Sequence, residues 1–484
     1  MIKQSINRKL RTKCGVSILA LLFIPSLAAQ LPLSSVESIL SFEMAIKSAQ
    51  KNDPWLMGNF HKQRSIESMS TAVSTLPDPK ISIGLANLPT NGFDFGQEGM
   101  TQAKIGIAQM FPRGDTLDIK SQQLRIQSEA FPFQRQDREA KVAVTVGSLW
   151  LDAYRVQQSI ALIEKNRSLF EQLADIAEAS YSSALGKTRQ QDIVRAQLEL
   201  TKLEDRLEKL GQQKNRFEGM LSQWLTKFST GNDSVEATLY SDFSLHDIEL
   251  SQQIPQIDLL NNKLVHSKSW LNPLELVQYF TSHPSVVAIE KKVSATKASI
   301  KLAEQKYQPE WGVSASYGYR ADDPMGRSRA DLFSVGVTFD LPLFTENRQD
   351  KEVQSAIFKT EAVKTEKFLL LRQLLGSYSS AKGRLLRLKD RQNLYTSKLL
   401  PQIHDQAEAS LTAYTNDDGD FAEVVRSRIA VLNAEIDELT LNVEEQKISL
   451  ELNYLFIGSI KTAMTTNNMN YTSSGQYAAS VGEK

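Results

Sequence analysis

Lys104-Ile105-Gly106-Ile107-Ala108-Gln109-Met110-Phe111-Pro112 returns 230 residues later as Ser334-Val335-Gly336-Val337-Thr338-Phe339-Asp340-Leu341-Pro342. The copies share a central glycine and a closing proline. The same interval joins landmarks further out: Pro79 with Pro309, and Pro54 with Pro284, the latter pair within Asn52-Asp53-Pro54 and Ser282-His283-Pro284. Four landmarks at one spacing, with no gap, imply a duplicated structural unit. The chain reads as two copies of one half, with pseudo-twofold symmetry.

Each half repeats one order of elements. A helix is expected over roughly 37–75 and again over 273–307. Two extended segments follow, Ile81–Leu88 with Ala103–Phe111 and Trp311–Tyr319 with Leu332–Leu341. Polar, glycine-rich loops join them, opened by Pro89-Thr90-Asn91-Gly92 in one half and containing Asp322-Asp323-Pro324-Met325-Gly326 in the other. Ile81, Ile83 and Leu85 oppose Ser82, Gly84 and Ala86, and Val335, Val337, Phe339 and Leu341 oppose Ser334, Gly336, Thr338 and Asp340. One apolar and one small or polar face at period two marks a half-buried strand. Nine or ten residues also match the ~9–11 that a tilted strand needs to cross a bilayer. By pattern alone, the apolar face packs either on lipid or on protein.

A long helical stretch follows each strand pair. Val142, Val146, Leu149, Ala153, Val156, Ile160, Ile163, Phe170, Ala174, Ala177, Tyr181 and Ala184 keep a four-three spacing broken by Arg167. After Gly186-Lys187-Thr188 the pattern resumes through Ala196, Leu200, Leu203, Leu207, Leu210, Phe217, Leu221 and Trp224, with Lys214 as the exception. The second half repeats this from about Arg348, breaks at Tyr414–Asp420, and returns through Val424, Val425, Ile429, Leu432, Ile436 and Leu439. Sustained heptads mean coiled-coil packing. The expected organisation is a signal segment over 1–29; a first repeat over 30–230, with strand pair 81–111 and helical hairpin 113–227; a connector over 231–272; a second repeat over 273–460, with strand pair 311–341 and hairpin 347–458; and a disordered tail over 461–484.

The chain has 484 residues, with 56 acidic and 56 basic side chains, and a mean hydropathy of −0.31. Zero net charge gives no reason to expect a nucleic acid partner. Lys3, Arg8, Lys9, Arg11 and Lys13 precede an apolar Gly15–Leu27 run, and Ser26 and Ala28 suit a cleavage site, the pattern of a secretory signal. The single cysteine, Cys14, would leave with it, which excludes thiol catalysis, disulfides and thiolate metal sites from the mature chain. No later run reaches the roughly 18 apolar residues of a transmembrane helix. The protein is expected to be exported, either to the periplasm or into the outer membrane as strands.

Catalytic chemistry is missing. His61, His246, His266, His283 and His404 are scattered with no metal-ligand spacing, and His283 and His404 read as surface residues beside helix ends. No nucleophile elbow, P-loop, dinucleotide fingerprint or zincin motif occurs. No enzyme, cofactor or metal site is expected. The notable charged cluster is Asp417, Asp418, Asp420 and Glu423 at the second helical turn. Alone it is an ordinary solvated turn; several copies around an axis would form a cation-selecting ring.

Over about 37–458 these features resemble the TolC family of outer-membrane efflux channels. Leu76-Pro77-Asp78-Pro79, Gln109-Met110-Phe111-Pro112-Arg113-Gly114 and Phe339-Asp340-Leu341-Pro342-Leu343-Phe344 look like its heavy-metal branch, the CzcC and CusC type. Tyr181, Gly186 and Asp192, followed by Ala196 and Leu198, resemble the family's turn motif. The resemblance implies a mainly α fold with a β-barrel portion. Long coiled-coil hairpins would form a periplasmic α-barrel, and four strands per protomer would complete a twelve-stranded barrel in a homotrimer. It implies a passive duct with a periplasmic adaptor and an inner-membrane RND-type pump as partners, outer-membrane lipid around it, and heavy-metal cations as cargo. Tyr181, Gly186, Lys187 and Asp192 would lie at the adaptor-docking tip. Tyr414, Asp417, Asp418, Asp420 and Glu423 would lie at the periplasmic gate, with Arg426 where a second acidic residue stands in the best-studied member. That departure points to an intersubunit Glu423–Arg426 ion pair or a weaker cation preference. The rival expectations are a multidrug or type I secretion duct of the same architecture, and a soluble periplasmic coiled-coil adaptor.

Overall fold

The computed structural model describes residues 39–182, 189–230, 237–240, 248–267, 269–416 and 418–458. The expected signal segment, Gly186, Lys187, Asp417 and the expected tail lie outside the described residues.

The helix expected over 37–75 is two helices, α1 (Phe42–Lys51) and α2 (Pro54–Ala72). Proline has no N–H and disfavours helical backbone just before it, so Pro54 stops one helix and opens the next at its first position. Ser41 and Asp53 cap them, accepting from the Met44 and Trp55 N–H groups at 3.2 and 3.0 Å. Strands β1 (Lys80–Ala86) and β2 (Gln102–Phe111) follow, then α3 (Thr116–Ser128), α4 (Phe131–Ser182) and α5 (Gln190–Leu225).

A small hairpin follows, of β3 (Lys227–Thr230), which lies just before the expected connector, and β4 (Ala237–Tyr240) within it; the connector also carries a short helix α6 (Asn262–His266). The second half repeats the first. Helices α7 (Pro273–Phe280) and α8 (Pro284–Glu304) again divide just before the repeated proline, so the helix expected over 273–307 is also two. Strands β5 (Trp311–Tyr319) and β6 (Leu332–Phe339) precede α9 (Gln349–Leu394), a π-type turn at Tyr395–Leu399, α10 (Leu400–Thr415) and α11 (Phe421–Leu455).

One antiparallel sheet of order β1-β2-β5-β6 joins the halves. The helices nearest it continue that order, because α2 packs on α3, α3 on α8, and α8 on α9. Further along, α5 packs on α4, α4 on α11, and α11 on α10. The molecule therefore stays four elements wide, with α5 taking the place of α2 and α11 that of α8.

Among the described residues three apolar clusters hold it together. Trp150, Val146 and Leu221 centre the first, where α1 crosses α4 and the end of α5; Trp150 donates to the Leu40 carbonyl at 3.0 Å. Phe280, Tyr378 and Leu452 centre its counterpart among α7, α9 and α11. The third is the hairpin seam, with Val156, Ile163, Phe170, Leu203 and Val424 buried. Both heptad exceptions are paired: Arg167 reaches Glu171 at 2.9 Å and Glu204 at 3.5 Å, and Lys214 reaches Glu218 at 3.5 Å. Tyr181, read as a seam residue, is instead 51% exposed at the end of α4.

Candidate functional site

The register sorts the four-stranded sheet into two unlike faces, since directly paired residues share a side. One face carries the rows Phe111–Trp311–Phe339, Gln109–Val313–Val337, Ile81–Ile107–Ala315–Val335, Ile83–Ile105–Tyr317–Phe333 and Leu85–Ala103–Tyr319. Only Gln109 in that set is an amide or charged side chain. Aromatic side chains gather at the two ends, and aliphatic ones fill the middle. The face is open: Ile83 is 82% exposed and Phe333 71%. Trp311 and Tyr319 are eight residues apart, so the band runs ~27 Å along the strand at ~3.4 Å per residue, or roughly 20 Å in height at the ~35–45° tilt of barrel strands. Apolar bands ~25 Å tall between aromatic girdles are what lipid-facing barrel surfaces show.

The other face is small and polar, with Ser82, Gly106, Ser316 and Ser334 in one row and Ala108, Ser314 and Gly336 in another. Both edges of the sheet, β1 and β6, lack a strand partner among the described residues. Unpaired edges beside an exposed apolar face invite another strand. The sheet is also staggered. The row of Ile81 meets Ala315, four positions beyond its repeat partner Trp311, and the row of Ile107 meets Val335, two short of Val337. Such stagger is the shear that a tilted sheet needs to close into a barrel.

At one end the strand loops are clasped together. Arg320 donates to the Gly99 carbonyl at 3.1 Å, Arg329 to those of Gly96 and Glu98, and Phe95 stacks on Tyr319. Hydrogen bonds from the Arg327 and Met325 N–H groups and the Arg327 guanidinium hold Asp323 below the usual carboxylate range. At the helical end, Arg113 bonds Asp340 and donates to the Gln308 carbonyl at 3.0 Å, tying the two strand exits.

At the far end, α10 turns into α11 around Gly419, where a Cβ would sit 2.5 Å from the Tyr414 nitrogen; only glycine fits. Tyr414 meets the Phe421 ring edge-on at 5.6 Å. Asp420 caps α11 by accepting from the Ala422 N–H at 3.1 Å. Glu423 is bonded to Arg426 of the same protomer, so the intersubunit pairing expected from the sequence has an intramolecular competitor one helical turn away. Asp418 is exposed. At the other hairpin turn Asp192 is buried and accepts from the Arg189 N–H at 2.9 Å, which makes it a cap.

His283, read as a surface residue, is fully buried. It caps α8 through Nδ1, which accepts from the Ser285 N–H at 3.3 Å and lies 2.7 Å from the Ser285 hydroxyl. Nε2 meets the Tyr454 carbonyl at 3.0 Å; a carbonyl only accepts, so the proton sits on Nε2. Burial pushes this imidazole below its ordinary value, against the opposing pull of Asp137. The proline after it marks a helix start in the sequence, but nothing there shows that α11 ends against it. His404, read as a surface residue, is exposed and lies 3.9 Å from Glu435. Among the described residues no three acidic, histidine or cysteine side chains are placed to hold a metal ion, and no helix is long and apolar enough to cross a membrane.

No protein-family model and no curated protein sequence matches the chain. Solved structures do. The outer-membrane channel CmeC of Campylobacter jejuni superposes with a TM-score of 0.66 at 11% identity, over 86% of this chain and 85% of that one. CusC, described in terms of folding and transmembrane channel formation, gives 0.65 at 13%, over 86% and 91%. The open state of the MtrE outer-membrane channel of Neisseria gonorrhoeae gives 0.62 at 11%, over 86% and 88%. The chain has the fold of these channel protomers. A long helical layer and a few strands per protomer, expected from the sequence, are what the structure contains.

Proposed function

We propose that the protein is a passive outer-membrane exit duct of a tripartite efflux system, working as a homotrimer. The observation that carries this reading is the sheet: one apolar face girdled by aromatics, one small polar face, and two open, staggered edges. Four such strands expose backbone edges that lipid cannot satisfy, whereas three copies joined edge to edge close a barrel. The likeness to solved outer-membrane channels supports it. Energy then comes from an inner-membrane RND-type pump, and a periplasmic adaptor docks at the tips bearing Tyr181, Gly186, Lys187 and Asp192.

The α10–α11 turn, with Tyr414, Asp417, Asp418, Asp420, Glu423 and Arg426, is the proposed periplasmic gate. Among the described acidic residues of this turn Asp420 is committed to a cap and Glu423 to Arg426, which leaves Asp418 as the candidate for an acidic ring. The strand-exit motifs favour heavy-metal cations as cargo; a multidrug or type I secretion duct is the second reading of the same architecture.

Carbonate washing of membranes tests the proposal. Retention in the outer-membrane fraction, as a trimer that dissociates only on heating in detergent, is expected. Release into the soluble fraction overturns the duct and leaves the periplasmic adaptor reading. Growth of a deletion strain across copper, silver, zinc, drugs and dyes then identifies the cargo.

A further inference from the structure

The four strands contain two ionisable side chains of formal charge at neutral pH, Lys80 and Lys104, and no carboxylate. Both lie on the small polar face. Lys80 is opposite Ala108, in a row continued by Ser314 and Gly336. Lys104 stands between Gly84 and Gly318, so neither flanking strand supplies a side chain to cover it. Both are exposed. They sit four positions apart along the sheet, about 14 Å at ~3.4 Å per residue.

Carboxylates appear only beyond the strands. At the helical rim stand Glu310 and Asp340, the latter bonded to Arg113. The clasped loops contain Asp94, Glu98, Asp322, Asp323 and Asp331 together with Arg320, Arg327 and Arg329; Asp323 is bonded to Arg327, and Asp331 accepts from the Arg320 N–H.

We infer that Lys80 and Lys104 make the wall of the barrel segment anion-favouring, so that cargo crosses this segment as an anion and a free metal cation is disfavoured there. This rests on the duct reading, because the apolar face can meet lipid only if the lysine face lines the lumen, and it opposes the free-cation cargo that the strand-exit motifs favour. Three copies would set two rings of three ammonium groups along the pore. A ring of one sign raises the local concentration of the opposite ion. Neither lysine has a partner that would cancel its charge within the sheet. The cargo classes that suit such a wall are carboxylated, sulfonated or phosphorylated small molecules, or a metal carried as an anionic complex.

The test is the reversal potential of the purified trimer in planar bilayers under a potassium chloride gradient. Lys80→Gln with Lys104→Gln should move it toward the potassium potential, and Lys104→Glu should move it further. The shift should grow as salt is lowered, because screening lengths rise from ~10 Å at 0.1 M to ~30 Å at 0.01 M. Open channels with an unchanged reversal potential in Lys104→Glu overturn the inference and leave the duct standing. Failure to form channels at all overturns the duct, and the inference with it.

A second measurement covers poor assembly of the charge variant. Cys14 is the single native cysteine, so in a Cys14→Ser background Lys104→Cys and Ile105→Cys each place one thiol. In assembled channels a charged, membrane-impermeant thiol reagent should modify Lys104→Cys and alter the current, and should spare Ile105→Cys. The opposite pattern means that the faces are inverted and overturns the inference.

Discussion

The two halves agree at the sheet and disagree at the joints where their helices meet end to end. At the first joint Asp53 caps α2 and also accepts from the Arg138 Nε at 2.7 Å. The Arg138 guanidinium lies over the Trp55 and Trp224 rings at 5.7 and 5.5 Å. At the second joint the residues 230 positions on from Asp53 and Trp224 are His283 and Tyr454, and they bond to each other through the Tyr454 carbonyl. The Tyr454 hydroxyl donates to Asp137 at 2.8 Å, and Asp137 also pairs with Lys141 at 2.8 Å. Duplication preserved the geometry, a cap before a proline with the end of a hairpin helix against it. It did not preserve the chemistry: one joint is an ion pair with a cation–π sandwich, the other a neutral imidazole sealed from water. Strand alternation is under the same constraint in both halves, whereas a cap needs only an acceptor.

The largest effect should come from where the halves agree. Ile107→Arg and Val337→Arg, repeat partners on the apolar face, should each cost ~2–4 kcal/mol near the bilayer midplane. Ile107 stands in the central row and Val337 one apolar row nearer the helical end, so Ile107→Arg should be at least as damaging. Heat-resistant assembly of the proposed trimer in membrane fractions is the readout; normal assembly of both variants would contradict a lipid-facing surface.

The joints should differ. His283→Ala removes a cap and strands a buried carbonyl and N–H, costing ~2–4 kcal/mol. Asp53→Ala loses a cap and an ion pair whose arginine keeps a third of its surface in water, so ~1–2 kcal/mol is expected. Thermal melting of the helical signal ranks them, and equal losses would erase the distinction drawn here.

The smallest effect, and the most diagnostic, is with pH. Protonating His283 places a second N–H against the Ser285 N–H and destroys the cap. Burial holds its folded value below the unfolded ~6.5. Its contribution is therefore complete above about pH 6.5 and is lost as pH falls through the lower folded value. The groups facing it are Asp137, which opposes the lowering, Lys141, which adds to it, and Tyr454, whose phenol burial pushes far above the usual range. His283→Asn keeps an acceptor at the cap and should flatten the acid-side loss of melting temperature. An unchanged acid limb would assign that loss to other groups.

Sequence alone determined the duplication, through landmarks matched at one 230-residue interval, and the amphipathic strands and heptad seams, because these rest on local periodicity that any compact structure must honour. It also placed the helix breaks near Pro54 and Pro284 within reach, since proline acts on the residues next to it. Three things were decided only by tertiary structure. Strand order and stagger depend on pairing residues more than two hundred positions apart, which period-two alternation leaves open. The burial of His283 depends on the end of α11 arriving at the start of α8. The isolation of Lys104 depends on glycines from two other strands flanking it. Local pattern says which face a side chain takes; only the register says what stands beside it.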